Sequence, residues 1–270
     1  MEINVVKANG KTEPFSEEKL RASIRRAGID TQIENDVVEQ IKAGLYENIK
    51  TSEIYGQIRQ FLGRSPQPMG GSKYSLKQAI MQLGPTGYPF EDFIAEVLEA
   101  EGFKTKVRVV LQGKCITHEI DVVAEKEGKK IMVEAKFHNL PGTRTDVHVP
   151  LYTKARFDDL REGNELTDAL LVTNTKMTED AIAFANCVGI KLLSWSYPEG
   201  ESLRELIEKW NIHPITQLDS LSVSQKQQLL QNHCVLCKDI KPDALRILAL
   251  PENKTKEILE EAEYISNKKS

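Results

Sequence analysis

The sequence is short of cysteine and aromatic side chains, and it has no long apolar run and no strong excess of one charge. Four cysteines among 270 residues argue against a disulfide framework. No apolar run approaches the roughly 20 residues that span a bilayer, and the N-terminus lacks the basic-then-apolar pattern of a signal peptide. We therefore expect a cytoplasmic protein without a membrane partner. Aromatic residues make up 6% of the chain, so the core is expected to be mostly aliphatic.

A formal net charge of −4 argues against a strongly basic nucleic-acid binder, but the charge is unevenly distributed. Residues 1–86 carry +2, residues 87–210 carry −6, and residues 211–270 are neutral. These three ranges are also the predicted domains. The Gly- and Pro-rich stretch LGPTGYP lies at the first boundary, and Pro214 follows an apparent helix end at the second.

The hydrophobic pattern predicts a different secondary structure for each domain. Asn9-Gly10 is the strongest short signal for a β-hairpin, and helical periodicity follows it through the first domain. The middle domain opens with an amphipathic helix at 90–103 and continues with strand-like runs, the last two of which flank a helix at 178–189. Strand, helix and strand in that order predict a crossover unit of parallel strands. The C-terminal domain is predicted to be wholly helical.

A group of charged residues is embedded in two apolar strands of the middle domain, HEIDVVAEKEGKKIMVEAKF at 118–137. Because side chains alternate along a strand, Glu134 and Lys136 point to one face while Val133 points to the other. Asp121 lies on the preceding strand. Two carboxylates that converge from paired strands make an oxygen-rich site suited to Mg²⁺, and a nearby ammonium can position a water and offset phosphate charge.

A surface salt bridge is the alternative explanation, since Glu-x-Lys on an exposed strand face is common. Three features favour the metal site. The charged residues lie between apolar strands, Glu91 on the preceding helix can supply a further carboxylate, and a strand–helix–strand unit follows.

The D-x(12)-E-x-K arrangement, together with the leading helix FEDFIAEVLEAEGF, resembles the PD-(D/E)xK nuclease superfamily over about residues 88–210, specifically the Mrr-like restriction endonucleases. The resemblance implies an α/β core with a mixed sheet, Mg²⁺ or Mn²⁺ as cofactor, double-stranded DNA as substrate, and a homodimer or higher homo-oligomer. It assigns metal ligation to Asp121 and Glu134, water positioning to Lys136, and the role of accessory acid to Glu91. Many Mrr-like proteins have Gln at the position of Glu134, so the acid in this chain favours metal binding.

Four further side chains of the middle domain have competing explanations. His118 is interpreted as a strand-edge histidine bonded to the backbone rather than as a catalytic group. Arg144, Lys154 and Arg156 could contact phosphate or could be solvated surface charges, and the sequence does not separate the two.

The N-terminal domain has lysines at positions from which they can hold a polyphosphate. Lys7 and Lys11 flank the predicted hairpin turn, and Lys19 lies in the first turn of a helix for which Ser16 is the predicted N-cap. A small helical domain with surface lysines explains the composition equally well.

The motifs V-x-K-x-x-G, E-x-F, K-L and K-T-S-E-I within residues 3–84 resemble the ATP-cone, a nucleotide-sensing module of ribonucleotide reductases and of their transcriptional repressor. The resemblance implies a mainly helical domain with a small N-terminal β-hairpin, and ATP or dATP as an allosteric ligand. Ala8 and Asn9 replace the Arg-Asp that is usual in the family, which removes a bidentate phosphate donor. The implied nucleotide contacts are Val5, Lys7, Glu13, Ser16, Lys19 and Thr51.

Residues 217–266 carry spaced leucines and a short connection between predicted helices, and they resemble a helix-hairpin-helix module that contacts the DNA backbone. The usual glycine of that hairpin is missing at HCVLC. Cys234 and Cys237 form a single C-x-x-C beside His233. Because a four-ligand zinc site usually needs a second pair, the two cysteines are interpreted as buried packing residues.

These features lead to two hypotheses from different classes. The first is a metal-dependent DNA endonuclease regulated by ATP or dATP at its N-terminal domain. The second is a nucleotide-sensing DNA-binding regulator with an inactive nuclease-like core, against which the retention of Asp121, Glu134 and Lys136 counts. A nuclease acting on RNA or on repair intermediates would use the same site. The acidic middle domain does not exclude DNA, because metal ligands account for part of its charge and a bound cation offsets phosphate repulsion.

Overall fold

A small three-stranded sheet and a set of helices form the N-terminal part of the structure, a computed structural model that describes residues 3–66 and 70–267. β1 (Asn4–Val6) pairs antiparallel with β2 (Thr12–Pro14), which confirms the predicted hairpin, and Gly10 in its turn has a φ of 78°. β3 (Ile49–Lys50) pairs in parallel with the other edge of β1. The helices are α1 (Glu17–Arg26), α2 (Thr31–Ala43), α3 (Thr51–Leu62), α4 (Gly70–Tyr74) and α5 (Leu76–Met81).

The N-terminal helices pack around an aliphatic core, as the composition predicts. Helical spacing turns Ile24, Val37 and Ile58 inward, one from each of α1, α2 and α3, and Val5 of β1 joins them. From Leu76 onward the apolar side chains of α5 belong instead to the core of the following sheet.

A mixed sheet forms the centre of the molecule, as predicted, and the structure shows that its five strands lie in the order β10-β8-β6-β5-β4. β4, β5 and β6 are antiparallel neighbours, whereas β6, β8 and β10 run parallel. A separate parallel pair is formed by β7 and β9. The strands are β4 (Lys104–Gln112), β5 (Thr117–Lys126), β6 (Lys129–Lys136), β7 (Arg144–Thr145), β8 (Asp168–Thr173), β9 (Lys176–Met177) and β10 (Lys191–Leu193).

Helices cover both faces of this sheet, because its central strands are apolar on both sides. Val133 of β6 packs in one cluster with Phe93 of α6 (Tyr88–Ala100). Met132, its neighbour in the chain, points to the other cluster with Leu160 of α7 (His148–Leu160) and Ala181 of α8 (Glu179–Cys187). The β8–α8–β10 crossover is the predicted one, and α9 (Leu203–Trp210) follows it.

The C-terminal segment is helical, as predicted, with α10 (Val223–Gln231), α11 (Pro242–Leu245) and α12 (Glu252–Ser266) joined by short 3-10 turns. Its core is continuous with that of the sheet, since Leu229 and Ile258 belong to the same cluster as Phe93 and Val133. Among the residues that the structure describes, no helix is both long and apolar enough to cross a membrane.

Candidate active site

The end of the β5–β6 ladder fixes Asp121 beside the strand that carries Glu134. The two strands pair regularly up to Val122 opposite Val133, and the ladder ends there. The backbone N–H of Ala135 then donates to Oδ2 of Asp121 at 2.7 Å. A side-chain carboxylate thus replaces a backbone acceptor, and this bond holds Asp121 against β6.

Three carboxylates are buried close enough together to affect one another's pKa. Burial, and next the charge of Asp121, raise the pKa of Glu91 on α6 to about 7. The same two causes, in the same order, raise the pKa of Glu134 to about 7. Burial also raises the pKa of Asp121. Lys136 is exposed at the end of β6, and its charge lowers the pKa of both Asp121 and Glu134, so the four residues predicted as the site are brought together.

Arg156 on α7 is part of this group, although the sequence left its role open. Its guanidinium donates to the carboxylate of Glu134 and to the carbonyl oxygen of Glu119. Arg156 is only 8% exposed, which excludes the solvated surface charge, one of the two alternatives that the sequence left open. The helix that carries it was not predicted, and no short motif connects two residues that are 22 positions apart.

Arg108 is a second arginine at the site, and the sequence gave no sign of it. The pairing of β4 with β5 skips Arg108, which lies opposite Asp121 with a φ of 53°. This left-handed conformation costs a non-glycine residue about 1 kcal/mol, and such conformations cluster at functional sites. The Arg108 guanidinium donates to Glu91 at 3.3 Å and to Asp92 at 2.7 Å.

The carboxylates of this group are chemically suited to a divalent cation, but they are not grouped as a closed set of ligands. Carboxylate oxygens are the ligands that Mg²⁺ and Mn²⁺ prefer, and a dication would relieve the burial and repulsion that raise the pKa values of the acids. Within residues 3–66 and 70–267, however, no three His, Cys, Asp or Glu side chains are grouped closely enough to hold a metal ion. Instead, Arg156 pairs with Glu134, and Arg108 pairs with Glu91.

Three other basic residues of this domain lie apart from the group. Nε2 of His118 is 2.8 Å from Oδ2 of Asp159, so the expected bond to the backbone is wrong. That contact is the main cause that lowers the pKa of Asp159 to about 2, and it joins β5 to α7. Lys154 pairs with Asp158 one turn further along α7, and Arg144 is exposed in β7.

The sheet β2-β1-β3 gathers the predicted nucleotide contacts at one end of the N-terminal domain. Glu13 pairs with Lys7 at 2.6 Å and with Lys19 at 3.3 Å, and the hydrogen bond from Lys7 is the main cause that lowers the pKa of Glu13. The Ser16 hydroxyl caps α1 by accepting the N–H of Lys19 at 3.2 Å. Thr51 is the first residue of α3, directly after β3.

Val5 is placed differently from the other predicted nucleotide contacts. Its side chain is 4% exposed and belongs to the core of the N-terminal domain. Its backbone pairs with Glu13 on one side and Ile49 on the other. Any contact of Val5 with a ligand therefore involves its backbone.

The hairpin turn of the N-terminal domain lies against the loop that follows β6. A β-carbon on Gly142, which has a φ of 86°, would come within 2.9 Å of backbone atoms of Ala8 and Asn9. Gly142 lies on the loop that connects Lys136, at the end of β6, to β7. The predicted nucleotide site and the predicted catalytic strand are therefore linked by a close backbone contact.

The two C-terminal cysteines are packing residues, in agreement with the sequence interpretation. Cys237 is 2% exposed. Cys234 packs against the same core, and burial raises its pKa to about 11. His233 is used elsewhere, since its Nδ1 lies 2.9 Å from Oδ2 of Asp92 on α6.

Three protein families match successive parts of the chain. The ATP cone domain family matches residues 3–76, and the restriction endonuclease family matches residues 84–206. The AF1548-like C-terminal family matches residues 213–266. These matches confirm the two resemblances inferred from the motifs. The helix-hairpin-helix role of the last segment stays a prediction.

Two similar proteins each match about two thirds of the chain. An uncharacterized protein of Archaeoglobus fulgidus is 41% identical over 175 residues, which are 64% of this chain and 99% of that protein. A crystal structure of the protein of unknown function AF1548 is 39% identical, with a TM-score of 0.59, and the match covers 67% of this chain and 98% of that one. The chain therefore belongs to the AF1548-like family, and it joins an ATP cone domain to a restriction endonuclease domain.

Proposed function

We propose that the chain is a metal-dependent endonuclease that hydrolyses phosphodiester bonds of double-stranded DNA and is regulated by ATP or dATP. The observation that carries the proposal is the group of buried carboxylates beside Lys136. Glu91 and Glu134 have a pKa near 7, raised by burial and by Asp121. Acids with a strongly perturbed pKa next to a cationic side chain are typical of catalytic sites.

Asp121 and Glu134 would hold Mg²⁺ or Mn²⁺, with Glu91 as the accessory acid. When bound, the cation polarises the scissile phosphate and lowers the pKa of a bound water. Glu134 must lose its proton to act as a ligand, which its pKa of about 7 permits at neutral pH, and it must exchange its bond to Arg156. Arg108 holds Glu91 on the other side of the group.

Lys136 would position the attacking water. It lies at the end of β6 with its ammonium in solvent, near enough to Asp121 and Glu134 to lower the pKa of each. An ammonium in this position can orient a water for in-line attack and offset the charge that develops on the phosphate oxygens.

Regulation by nucleotide is supported by the contact between the hairpin turn and Gly142. A triphosphate would compete with Glu13 for Lys7 and Lys19. Ser16 and Thr51 would contact the nucleotide from the starts of α1 and α3. Val5 would contact it through its backbone. Because the hairpin turn lies against the loop after β6, displacement of the hairpin would reach the strand that carries Lys136. Because Ala8 replaces the usual arginine, we expect the site to bind phosphate with lower affinity.

The proposed assembly is a homodimer or a higher homo-oligomer, because nuclease domains of the type that the chain resembles often pair to cut both strands of a duplex. We assign backbone contacts with DNA to the C-terminal helices, on the resemblance of residues 217–266 to a helix-hairpin-helix module.

A nucleotide-sensing DNA-binding regulator with an inactive nuclease-like core is the second candidate. The observation that favours it is the ion pair between Arg156 and Glu134, which occupies one of the two proposed metal ligands. An arginine that never leaves Glu134 would keep the site inactive while leaving DNA binding intact.

A plasmid-nicking assay distinguishes the two candidates. Supercoiled plasmid, methylated and unmethylated, is incubated with the full chain and Mg²⁺ or Mn²⁺, with and without ATP. We expect nicking by the wild type and a loss of about 100-fold or more in Glu134→Gln and Lys136→Met. Glu125→Gln is the matched control, because Glu125 is an exposed acid on β5.

The nuclease proposal fails if the wild type binds DNA but never nicks it under any of these conditions. It also fails if Glu134→Gln and Glu125→Gln nick at the rate of the wild type, since the activity would then come from another site or from a contaminant.

A further inference from the structure

A cavity of about 410 Å³ lies where the three segments of the chain meet. Its wall includes the C-terminal end of α1 and residues of α3, α4 and α5 from the N-terminal domain, Trp195 and Arg204 from the endonuclease domain, and Asn211 beyond α9. Among the described lining residues there is none of the six nucleotide contacts implied by the ATP-cone resemblance. The cavity is thus separate from the proposed nucleotide site at the hairpin.

The charged residues around this cavity are mostly basic. Arg26, Lys73, Lys77 and Arg204 line it, and Glu208 is the one acid among the lining residues that the structure describes. Burial and then the charge of Arg204 lower the pKa of Arg26, so the two guanidinium groups repel each other. Burial, followed by the charge of Lys176, lowers the pKa of Lys77 to about 7. An anion in the cavity would relieve this repulsion.

Three described residues in the wall of the cavity have buried polar atoms that make no hydrogen bond, although Nε of Arg204 lies 4.0 Å from Oε1 of Glu208. Within the described residues, Oη of Tyr55, Oε1 of Gln78 and Nε of Arg204 are buried and make no hydrogen bond. All three residues line the cavity. Buried polar groups are nearly always satisfied by protein, water or ligand. None of the three atoms is accessible from the cavity, so the groups that a ligand meets there are the basic side chains that line it.

We propose that this cavity binds a small oligophosphate, either free or as the phosphate chain of a nucleotide. Guanidinium groups match the geometry of phosphate oxygens, and a volume of about 410 Å³ is within the range of small-molecule sites. Arg26 belongs to the ATP cone domain and Arg204 follows the sheet of the endonuclease domain. The bound anion therefore joins the two domains.

Trp195 provides a direct probe of binding. The chain has two tryptophans. Trp195 lines the cavity with Nζ of Lys77 4.3 Å from its ring centroid, whereas Trp210 is 43% exposed and outside the lining. In the full chain with Trp210→Phe, titration with sodium tripolyphosphate in the absence of divalent metal is expected to change the fluorescence of Trp195 saturably. A parallel titration uses ATP.

Variants locate the binding site. Arg26→Gln and Arg204→Gln, each added to Trp210→Phe, are expected to weaken tripolyphosphate binding about tenfold or more. Arg246→Gln removes the same charge from a side chain that is 81% exposed and is expected to leave the affinity unchanged. The double variant Lys7→Ala/Lys19→Ala, which disables the hairpin site, is also expected to retain binding. Circular dichroism verifies that every variant is folded.

The proposal is overturned if tripolyphosphate gives no saturable response, or if Arg246→Gln weakens binding as much as Arg26→Gln. It is equally overturned if only the hairpin variant loses binding. If ATP binds to the hairpin variant and this binding is sensitive to Arg26→Gln, the phosphate source is a nucleotide. If ATP does not bind there while tripolyphosphate does, the ligand is a free oligophosphate.

Discussion

The acids of the candidate site are held in a state that opposes their ionisation. Glu91 and Glu134 are buried, and the charge of Asp121 lies close to both. Two arginines compensate for part of this cost, Arg108 at Glu91 and Arg156 at Glu134. Carboxylates that are buried away from water must pair with cations or stay protonated.

We expect Glu91 and Glu134 each to contribute a loss of stability in the metal-free protein as the pH rises from about 4.5 to about 7. The folded-state pKa values of Glu91 and Glu134, about 7, lie above the ordinary value of 4.5. Between these values the native state keeps protons that the unfolded chain has released, so raising the pH favours unfolding. Each group contributes roughly 1–3 kcal/mol to this loss. Burial lowers the pKa of His213 to about 4, and this histidine therefore contributes in the opposite direction over much of the same range. Urea denaturation at about pH 5 and about pH 8 is therefore compared between the wild type and a variant that lacks one of the acids.

Glu134→Gln is expected to flatten this pH dependence, because the variant has no carboxyl group to ionise at that position. Its free energy of unfolding at the higher pH should exceed that of the wild type, whereas the exposed-site variant Glu125→Gln should follow the wild type. Equal slopes for wild type and Glu134→Gln would show that Glu134 has an ordinary pKa.

Individual site residues were predictable to different degrees. Asp121, Glu134 and Lys136 could be placed together because strand alternation and strand pairing depend on local sequence. Arg156 could not, because its contact with Glu134 depends on where α7 packs against the sheet. Arg108 looked like an ordinary strand residue, and its left-handed φ has no signal in the neighbouring sequence.

Among the elements, the distortion of β4 at Arg108 has a measurable cost. We expect Arg108→Gly to be more stable than Arg108→Ala by about 1 kcal/mol, since glycine adopts a positive φ without the clash of a β-carbon. Both variants lose the guanidinium and its bonds to Glu91 and Asp92, so the comparison isolates the backbone. Urea midpoints of the two variants provide the measurement, and an alanine variant that equals or exceeds the glycine variant contradicts the expectation.

Most elements were predicted correctly, and the missed ones have physical explanations. The hairpin, the long strands and the β8–α8–β10 crossover follow from turn residues and apolar periodicity. β3 is only two residues long and has no pattern of its own, since it is formed by pairing with β1. α7 has Pro150 in its first turn and charged residues along much of its length, so its sequence does not show the apolar periodicity that predicts a helix.

At the scale of the whole molecule, the domains are connected more closely than their sequence boundaries suggest. Ile258 of α12 and Phe93 of α6 share one hydrophobic cluster. Glu261, 5% exposed, accepts the hydroxyl of Ser72 at 2.6 Å, and Arg59 pairs with Asp219 at 2.6 Å. Contacts of this kind depend on tertiary packing, and the local pattern that defines a linker does not reveal them.

Gly142→Ala is expected to uncouple nucleotide binding from nuclease activity. The added β-carbon would meet the backbone of Ala8 and Asn9 at 2.9 Å, so the hairpin turn or the loop must move. Gly128→Ala is the matched control, because Gly128 also has a positive φ, 77°, but has no atom within 4 Å of the added carbon. The measurement is the ratio of nicking rates with and without ATP.

This ratio should approach one in Gly142→Ala and stay at the wild-type value in Gly128→Ala. The ATP-induced change in melting temperature, measured in parallel, should persist in both variants because Lys7 and Lys19 are unchanged. A wild-type ratio in Gly142→Ala would show that the hairpin contact does not transmit the nucleotide signal.

The bond from Ala135 N–H to Asp121 has a consequence for how such a protein can diverge in evolution. Because the carboxylate takes the place of a backbone acceptor at the end of the β5–β6 ladder, losing it would leave a strand N–H unsatisfied. Descendants that abandon catalysis would still be under selection to keep Asp121 for folding. The side chain of Lys136 is exposed at the end of β6 and replaces no backbone acceptor, so folding does not require a lysine at this position. Under the proposed function, we therefore expect retention of the lysine, rather than of the aspartate, to distinguish active nucleases from inactive descendants of the same fold.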